Sequence, residues 1–340
     1  MVSFVQGTRG FRIRRLNLAT QEVRMPRAHW DEHVRFESSA DGLPPLLVIQ
    51  AGPGLPLLNE RRRYGKLLAL EDHFTVFYWD RSGTGLNAPP AGGLRLDAHL
   101  EETVTLLERI ALTSGQTVTV MGVSIGGTLA LLARQLLPEL VDRVVAISPD
   151  LDTTVADWHA HERILAAVHE PRWQWLAPRA ARLQPPPCLD PAQFRLRATL
   201  LGHLGGLEAR VSYGTQIRRM VLGIAGTYGP HRLPRVLANM NASTRALLPQ
   251  LAKVDLISRW PRSPVPADLL FGDADLLSPA AMVDRVRPML GPQDTLRVVH
   301  GAAHMAHFDA PEVVRAIILG EKRSGSSVPT QNAATHLGIA

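Results

Sequence analysis

Residues 118–137 read as one unit. A short apolar run, Val118–Met121, leads into Gly122-Val123-Ser124-Ile125-Gly126-Gly127, and an apolar stretch of helical character, Thr128–Leu137, follows until Pro138 stops it. A strand that turns directly into a helix is one step of the alternation that builds a mostly parallel sheet. Similar short apolar runs occur at Leu46–Ile49, Phe74–Trp79, Val144–Ile147, Ala267–Phe271 and Leu296–Val299, and all are expected as buried strands. Leu96, Leu100, Val104, Leu107 and Ile110 recur at helical spacing between two of them, with Asp97 as the expected cap. The chain therefore reads as an α/β fold, a mostly parallel sheet flanked by helices.

The alternation breaks once. Residues 149–259 are rich in Ala, Leu, Arg and Trp, poor in strand-like runs and interrupted at Gln184-Pro185-Pro186-Pro187; they are expected to form a helical insertion, because the alternation resumes near Pro264. This divides the chain into a first core part (1–148), the insertion (149–259), a second core part (260–320) and a polar, small-residue tail (321–340) expected to be disordered.

Composition enters as a set of exclusions. In 340 residues, 45% apolar and 20% charged content is that of a folded globular protein. No apolar run approaches the ~18 residues of a membrane span, so no membrane partner is expected. Met1 to Leu18 carries Arg9, Arg12, Arg14 and Arg15 without a following apolar region, so a secretory signal is not expected either. Cys188 is the single cysteine, which excludes an intrachain disulfide and a four-thiolate zinc site. A reducing, cytoplasmic setting is the expectation. The net charge of +6 is spread along the chain, with Arg61-Arg62-Arg63 as the densest cluster, and no nucleic-acid partner is expected from so diffuse a pattern.

The chemistry centres on Ser124. In a strand–turn–helix setting, G-x-S-x-G is a nucleophile elbow: the small residues let strand and helix approach, and the hydroxyl projects above the sheet edge near a helix N-terminus. A serine hydroxyl needs a base. Two loops downstream supply candidates in the chain order such a site requires. Gly272-Asp273-Ala274-Asp275 follows the Ala267–Phe271 run, and Gly301-Ala302-Ala303-His304 follows Leu296–Val299. Loops after strand C-termini gather on one edge of a parallel sheet, where ligands bind. His304 is preferred over His307 because it lies nearer the strand end. Asp273 and Asp275 both qualify as the acid, and Asp150, after Val144–Ile147, is a further position from which a carboxyl can reach the histidine. Gln50-Ala51-Gly52-Pro53-Gly54 follows the first run; Gly52, with the N–H of Ile125, is the expected oxyanion-hole pair.

These motifs together resemble the α/β-hydrolase superfamily and, within it, the proline iminopeptidase-like branch. Gln50 to Gly54 is similar to that branch's H-G-G-P-G. Asp80-Arg81-Ser82-Gly83-Thr84-Gly85 resembles its D-Q-R-G-x-G motif, and Gly301 to His304 followed by Pro311-Glu312 resembles its histidine loop. The resemblance covers roughly residues 30–320. Its acid loop, G-x-x-D, implies Asp275 as the acid, and its histidine loop again favours His304. It also implies that the insertion is a cap. The departures are Gln50 for histidine, Ala51 for glycine, and an elbow with Val123 and Ile125 where iminopeptidases tend to have G-G-S-W-G. Those enzymes hold the substrate's amino group with cap carboxylates; Asp152, Asp157, Glu162, Glu170 and Glu208 are available here, and nothing in the sequence selects among them.

The expected function is a serine hydrolase acting through an acyl-enzyme on a small amide or ester, or a short peptide, with Ser124, His304 and Asp275 as the triad. An esterase, a lactonase or an acyl-enzyme cyclase is the alternative, and a non-catalytic binding protein on the same fold is a second. No metal or organic cofactor is required by this chemistry. Trp158, Trp173 and Trp175 are expected to pack the insertion onto the core or line an apolar pocket. His159, His161 and His169 lack the i, i+4 ligand spacing and are not expected to bind metal.

Overall fold

The computed structural model describes residues 34–90, 92–278 and 280–321. Its strands are β1 (Val34–Glu37), β2 (Pro45–Ile49), β3 (Thr75–Trp79), β4 (Val118–Val123), β5 (Val141–Ile147), β6 (Ala267–Gly272) and β7 (Thr295–Val299). They form one sheet in the order β1-β3-β2-β4-β5-β6-β7. Only the β1–β3 pair is antiparallel. Each apolar run expected as a strand is one. β1 has no counterpart among those runs: in VRFE the apolar Val34 and Phe36 alternate with Arg35 and Glu37, so no continuous apolar run marks it.

The strands read as unbroken apolar runs because both faces are covered. Leu47 and Ile49 of β2 join Val120, Val144 and Leu269 in a cluster under α2 (Leu96–Ser114) and α3 (Ile125–Leu136). The alternate residues Leu46 and Val48 join Val123, Val145 and Leu270 in a second cluster on the opposite face. That face is covered by α1 (Arg61–Leu68) and by Val314 and Ile318 of a C-terminal helix (Pro311–Ile318). β7 departs from the expectation of a buried strand. It is the sheet edge, and Val298 is 40% exposed.

Two further expectations are corrected. The helix after Ser124 starts at Ile125, not Thr128, because Gly126 and Gly127 are taken up as its first turn. Asp97 does not cap α2: Arg95 occupies the cap position, and Asp97 sits in the first turn, accepting the Ala98 N–H at 2.9 Å and the Arg95 Nε at 2.8 Å.

Between β5 and β6 the described residues hold helices and no strand: α4 (Thr153–Ala167), α5 (Ala177–Ala180), α6 (Pro191–His203), α7 (Tyr213–Tyr228) and α8 (Leu233–Leu251). The legs of this segment are paired. Thr153 N–H donates to Val254 C=O at 3.0 Å, and Leu256 N–H to Leu151 C=O at 2.7 Å, around a bridge between Asp152 and Asp255. The segment has its own small apolar cluster, including Ile164, Leu176 and Leu200. The tryptophans do not all behave as expected. Trp173 packs against this cluster, whereas Trp158 and Trp175 are 44% and 52% exposed and face His161 and His203 edge-on. After β6 come α9 (Ala280–Val286), α10 (Ala306–Asp309) and α11 (Pro311–Ile318). The expected tail beyond Glu321 and the basic N-terminal stretch lie outside the described residues. No helix among the described residues is long and apolar enough to cross a membrane.

Candidate active site

The turn between β4 and α3 is built by contact distance. A Cβ on Gly122 would stand 2.2 Å from the Gly126 carbonyl oxygen, and one on Gly126 would stand 2.4 Å from that of Ile49. Neither position admits a side chain, so α3 descends hard against β2 and β4. The cost of that approach is carried by Ser124, whose φ of 54° and ψ of −126° lie where non-glycine residues are strained. Ser124 N–H donates to Ile147 C=O at 2.8 Å, which ties the strained residue to β5. Ile125 is the first residue of α3, so its N–H is among the donors that the helix itself leaves unused.

His304 and Asp275 meet as the sequence predicts. The His304 Nδ1 lies 3.0 Å from Asp275 Oδ2 and 3.2 Å from Oδ1, and both residues are buried. Asp275 Oδ1 also accepts the N–H groups of Leu277 at 2.8 Å and Ser278 at 2.9 Å, which fixes the carboxylate in its turn. Burial opposes a charged imidazole, but the Asp275 carboxylate, through charge and hydrogen bond, and then Asp150 outweigh it, so the His304 pKa is raised.

The rivals are separated physically. Asp273 turns to the surface, where it accepts the Gly301 N–H at 2.8 Å and contacts His300 Nδ1 at 3.1 Å. His307 is buried and stacked on Tyr64, with neither ring nitrogen partnered. Burial, then the nearby Arg63 and His304, hold its pKa well below the usual histidine value. Asp150 is in the site, but not on the ring nitrogen that Asp275 holds. Its carboxyl lies close enough to the Ser124 hydroxyl and to His304 for both to act on its pKa, and its carbonyl oxygen is fixed by the Thr128 hydroxyl at 2.7 Å. Burial drives its pKa up to about 6; His304 opposes this, Asp157 and Asp275 add to it, and the Ser124 hydrogen bond opposes it.

The loop after β2 is held by the motif after β3. Arg81 is buried and donates from Nη2 to the Gly52 carbonyl at 2.9 Å. Asp80 accepts the N–H groups of Leu57 at 2.6 Å and Leu58 at 3.0 Å, and also the Tyr228 hydroxyl from α7. Burial lowers the Arg81 pKa to about 10 against the pull of Glu102 and Asp80. Gly52 itself has φ 61°, a conformation that favours glycine. Gln50, the departure from the family motif, is 3% exposed, and neither side-chain amide atom has a partner.

The helical segment reaches the site through its backbone. His304 N–H donates to Gly206 C=O at 3.3 Å and Met305 N–H to Leu207 C=O at 2.9 Å. Asp309 then accepts the N–H groups of Ala303 and Ala209, both at 2.9 Å, and of Arg210 at 3.3 Å. Arg63 forms a two-pronged pair with Glu208, the shorter arm 2.5 Å. Neither Asp309 nor Glu208 stands out in the sequence. An acid a few residues past a histidine loop carries no signal of its own, and Glu208 is only one of eight acidic residues in the insertion.

With this mostly parallel sheet, the strained serine at the β4–α3 turn and the histidine–carboxylate pair after β6 and β7, the family model described as alpha/beta hydrolase fold matches residues 44–311. The chain belongs to that family. A curated relative, "Probable aminopeptidase YbaC" of Bacillus subtilis (strain 168), is 24% identical over 276 residues, spanning 79% of this chain and 86% of its own. Among solved structures, a proline iminopeptidase-related protein from Thermus thermophilus matches with a TM-score of 0.56 at 20% identity, covering 84% of this chain and 92% of that one. A thermophilic esterase from Thermogutta terrifontis matches with a TM-score of 0.53 at 17% identity, covering 84% and 91%. This α/β-hydrolase thus shares its fold with a peptidase-related protein and with an esterase.

Proposed function

We propose that this α/β-hydrolase is a serine hydrolase that cleaves a small amide or ester through an acyl-enzyme. The observation that carries the reading is the buried Asp275–His304 hydrogen bond at the sheet edge that also presents Ser124. Asp275 holds Nδ1, so Nε2 is the nitrogen left to accept the Ser124 proton as Oγ attacks the acyl carbon. The proton then passes to the leaving group, and water repeats the cycle to release the acid. The N–H groups of Gly52 and Ile125 stabilise the oxyanion, with Arg81 steadying the Gly52 peptide. The helical segment of residues 149–259 acts as a cap; its hydrogen bonds to the His304 loop support that role.

A fluorophosphonate, which traps activated serines whatever the substrate, tests the reading. Ser124 should be modified in the folded protein, and His304→Ala should slow modification by roughly 10³-fold or more. Absence of labelling on folded protein would sink it. The name of the Bacillus relative makes N-terminal aminoacyl amides the first substrates to assay; simple esters in the same panel separate the two bond classes.

A further inference from the structure

Asp150 is the acid in this site that the triad does not use. Of the carboxylates around Ser124 and His304, Asp157 on α4 is paired with Arg197 of α6 at 2.8 Å, and Asp275 is paired with His304 at 3.0 Å. No lysine or arginine pairs with Asp150 among the described residues; the positive partner that acts on it is His304. Its position is set by the sheet. Val123 is level with Ile147 in the β4–β5 register, so the residues leaving β5 run beside Ser124, and the Thr128 hydroxyl pins the Asp150 backbone there. Asp275, for its part, already shares Oδ1 between two backbone N–H groups.

We infer that Asp150 is a second carboxylate serving the imidazole: from its place beside Ser124 it balances the positive ring once His304 has taken the proton. This rests on the reading of Ser124 and His304 given above. In the acylation step the Oγ–H bond breaks and its proton goes to His304 Nε2. The Oγ–carbon bond forms while the carbonyl π pair moves onto oxygen. Asp150 neither gains nor loses a proton in this step; above about pH 6, where it is a carboxylate, it gains a cation to face. Two carboxylates then flank an imidazolium that is removed from water, where an uncompensated charge is costly. The other titratable groups around the cluster are Asp157 with Arg197, His159 on α4, and His307 with Arg63 behind the His304 loop; of these, Asp157 acts directly on Asp150.

The rate of Ser124 modification by a fluorophosphonate, followed from about pH 5 to pH 9, tests this without knowledge of the substrate. In the unmodified protein the rate falls on the acid side as His304 becomes protonated. Asp150→Asn removes a cause of the raised His304 pKa, so the acid limb should move to lower pH and the plateau rate should drop roughly 10-fold. Asp150→Glu, which restores the charge, should move both back. Asp150→Ser gives the same readout should the carboxamide disturb folding. Asp275→Asn should keep measurable labelling, and adding Asp150→Asn should lower it by a further order of magnitude or so. An acid limb unchanged in Asp150→Asn and Asp150→Ser overturns the inference while leaving the triad intact. Full labelling in His304→Ala that is lost in Asp150→Asn also overturns it, because Asp150 would then be the base itself. No labelling of Ser124 in the unmodified protein removes the triad reading and this inference with it.

Discussion

The Ser124 turn and the contact between the helical segment and the His304 loop are both junctions, but they are joined in opposite ways. At the turn nothing polar is required of a side chain. Gly122 and Gly126 let backbone touch backbone, and the strands beneath are buried on both faces. At the other junction the fit is polar: Asp309 gathers three N–H groups, Arg63 pairs with Glu208, and Gly206 and Leu207 meet His304 and Met305 backbone to backbone. The first fixes where Ser124 stands; the second fixes where His304 stands. A close-packed backbone junction tolerates no substitution, whereas a hydrogen-bonded one loses its grip by degrees.

The sharpest way to separate chemistry from architecture is Ser124→Ala. It should remove turnover by about 10⁴–10⁶-fold with little change in melting temperature, because the hydroxyl supports no packing. Gly126→Ala should do the reverse in kind. A methyl group 2.4 Å from the Ile49 carbonyl forces β2 and α3 apart, and urea unfolding should show a loss of about 3 kcal/mol or more. The polar junction should yield less: Asp309→Ala leaves buried N–H groups unmet, costing about 1–3 kcal/mol, and should lower kcat/KM by loosening the His304 loop. A kcat/KM unchanged in Asp309→Ala would mean that this junction does not position the base. The pH profile addresses the same loop. In the proposed mechanism His304 must be neutral to accept a proton, and its pKa is raised by Asp275 and Asp150 over the opposition of burial. Activity should therefore fall as pH drops through a value above the ordinary 6.5 for histidine, and Asp275→Asn should shift that limb to lower pH. The smallest effect belongs to Asp273→Asn, which should stay within about 0.5 kcal/mol in stability and leave activity unchanged, since Asp273 only tidies an exposed turn.

The two junctions also differ in how far they can be read from the sequence. Strands buried on both faces leave continuous apolar runs, and a glycine-bounded serine between strand and helix leaves a fixed spacing, so β2 to β6 and Ser124 are visible. Asp275 and His304 follow from loop position and family resemblance. β7 reads as buried because Leu296 and Val299 are apolar; edge exposure depends on which strands lie beside it, and that is set by topology. Asp150 is visible only as a candidate acid. That its carboxyl meets Ser124 depends on the register of β4 against β5, which no local pattern encodes. The same holds for Gln50, whose unpartnered amide is a fact of enclosure, and for the pairing of Arg63 with Glu208 across 145 positions of chain.

The hydrogen bonds that join Leu151 and Thr153 to Leu256 and Val254 close the helical segment at its base. Strands β5 and β6 lie side by side in the sheet, so the chain leaves and re-enters the platform through one narrow gate. Everything between those points could be exchanged for another set of helices while the strand pairing stayed as it is, provided the newcomer kept a grip on the histidine loop. The helical segment can thus diverge on this scaffold without disturbing the Ser124 turn.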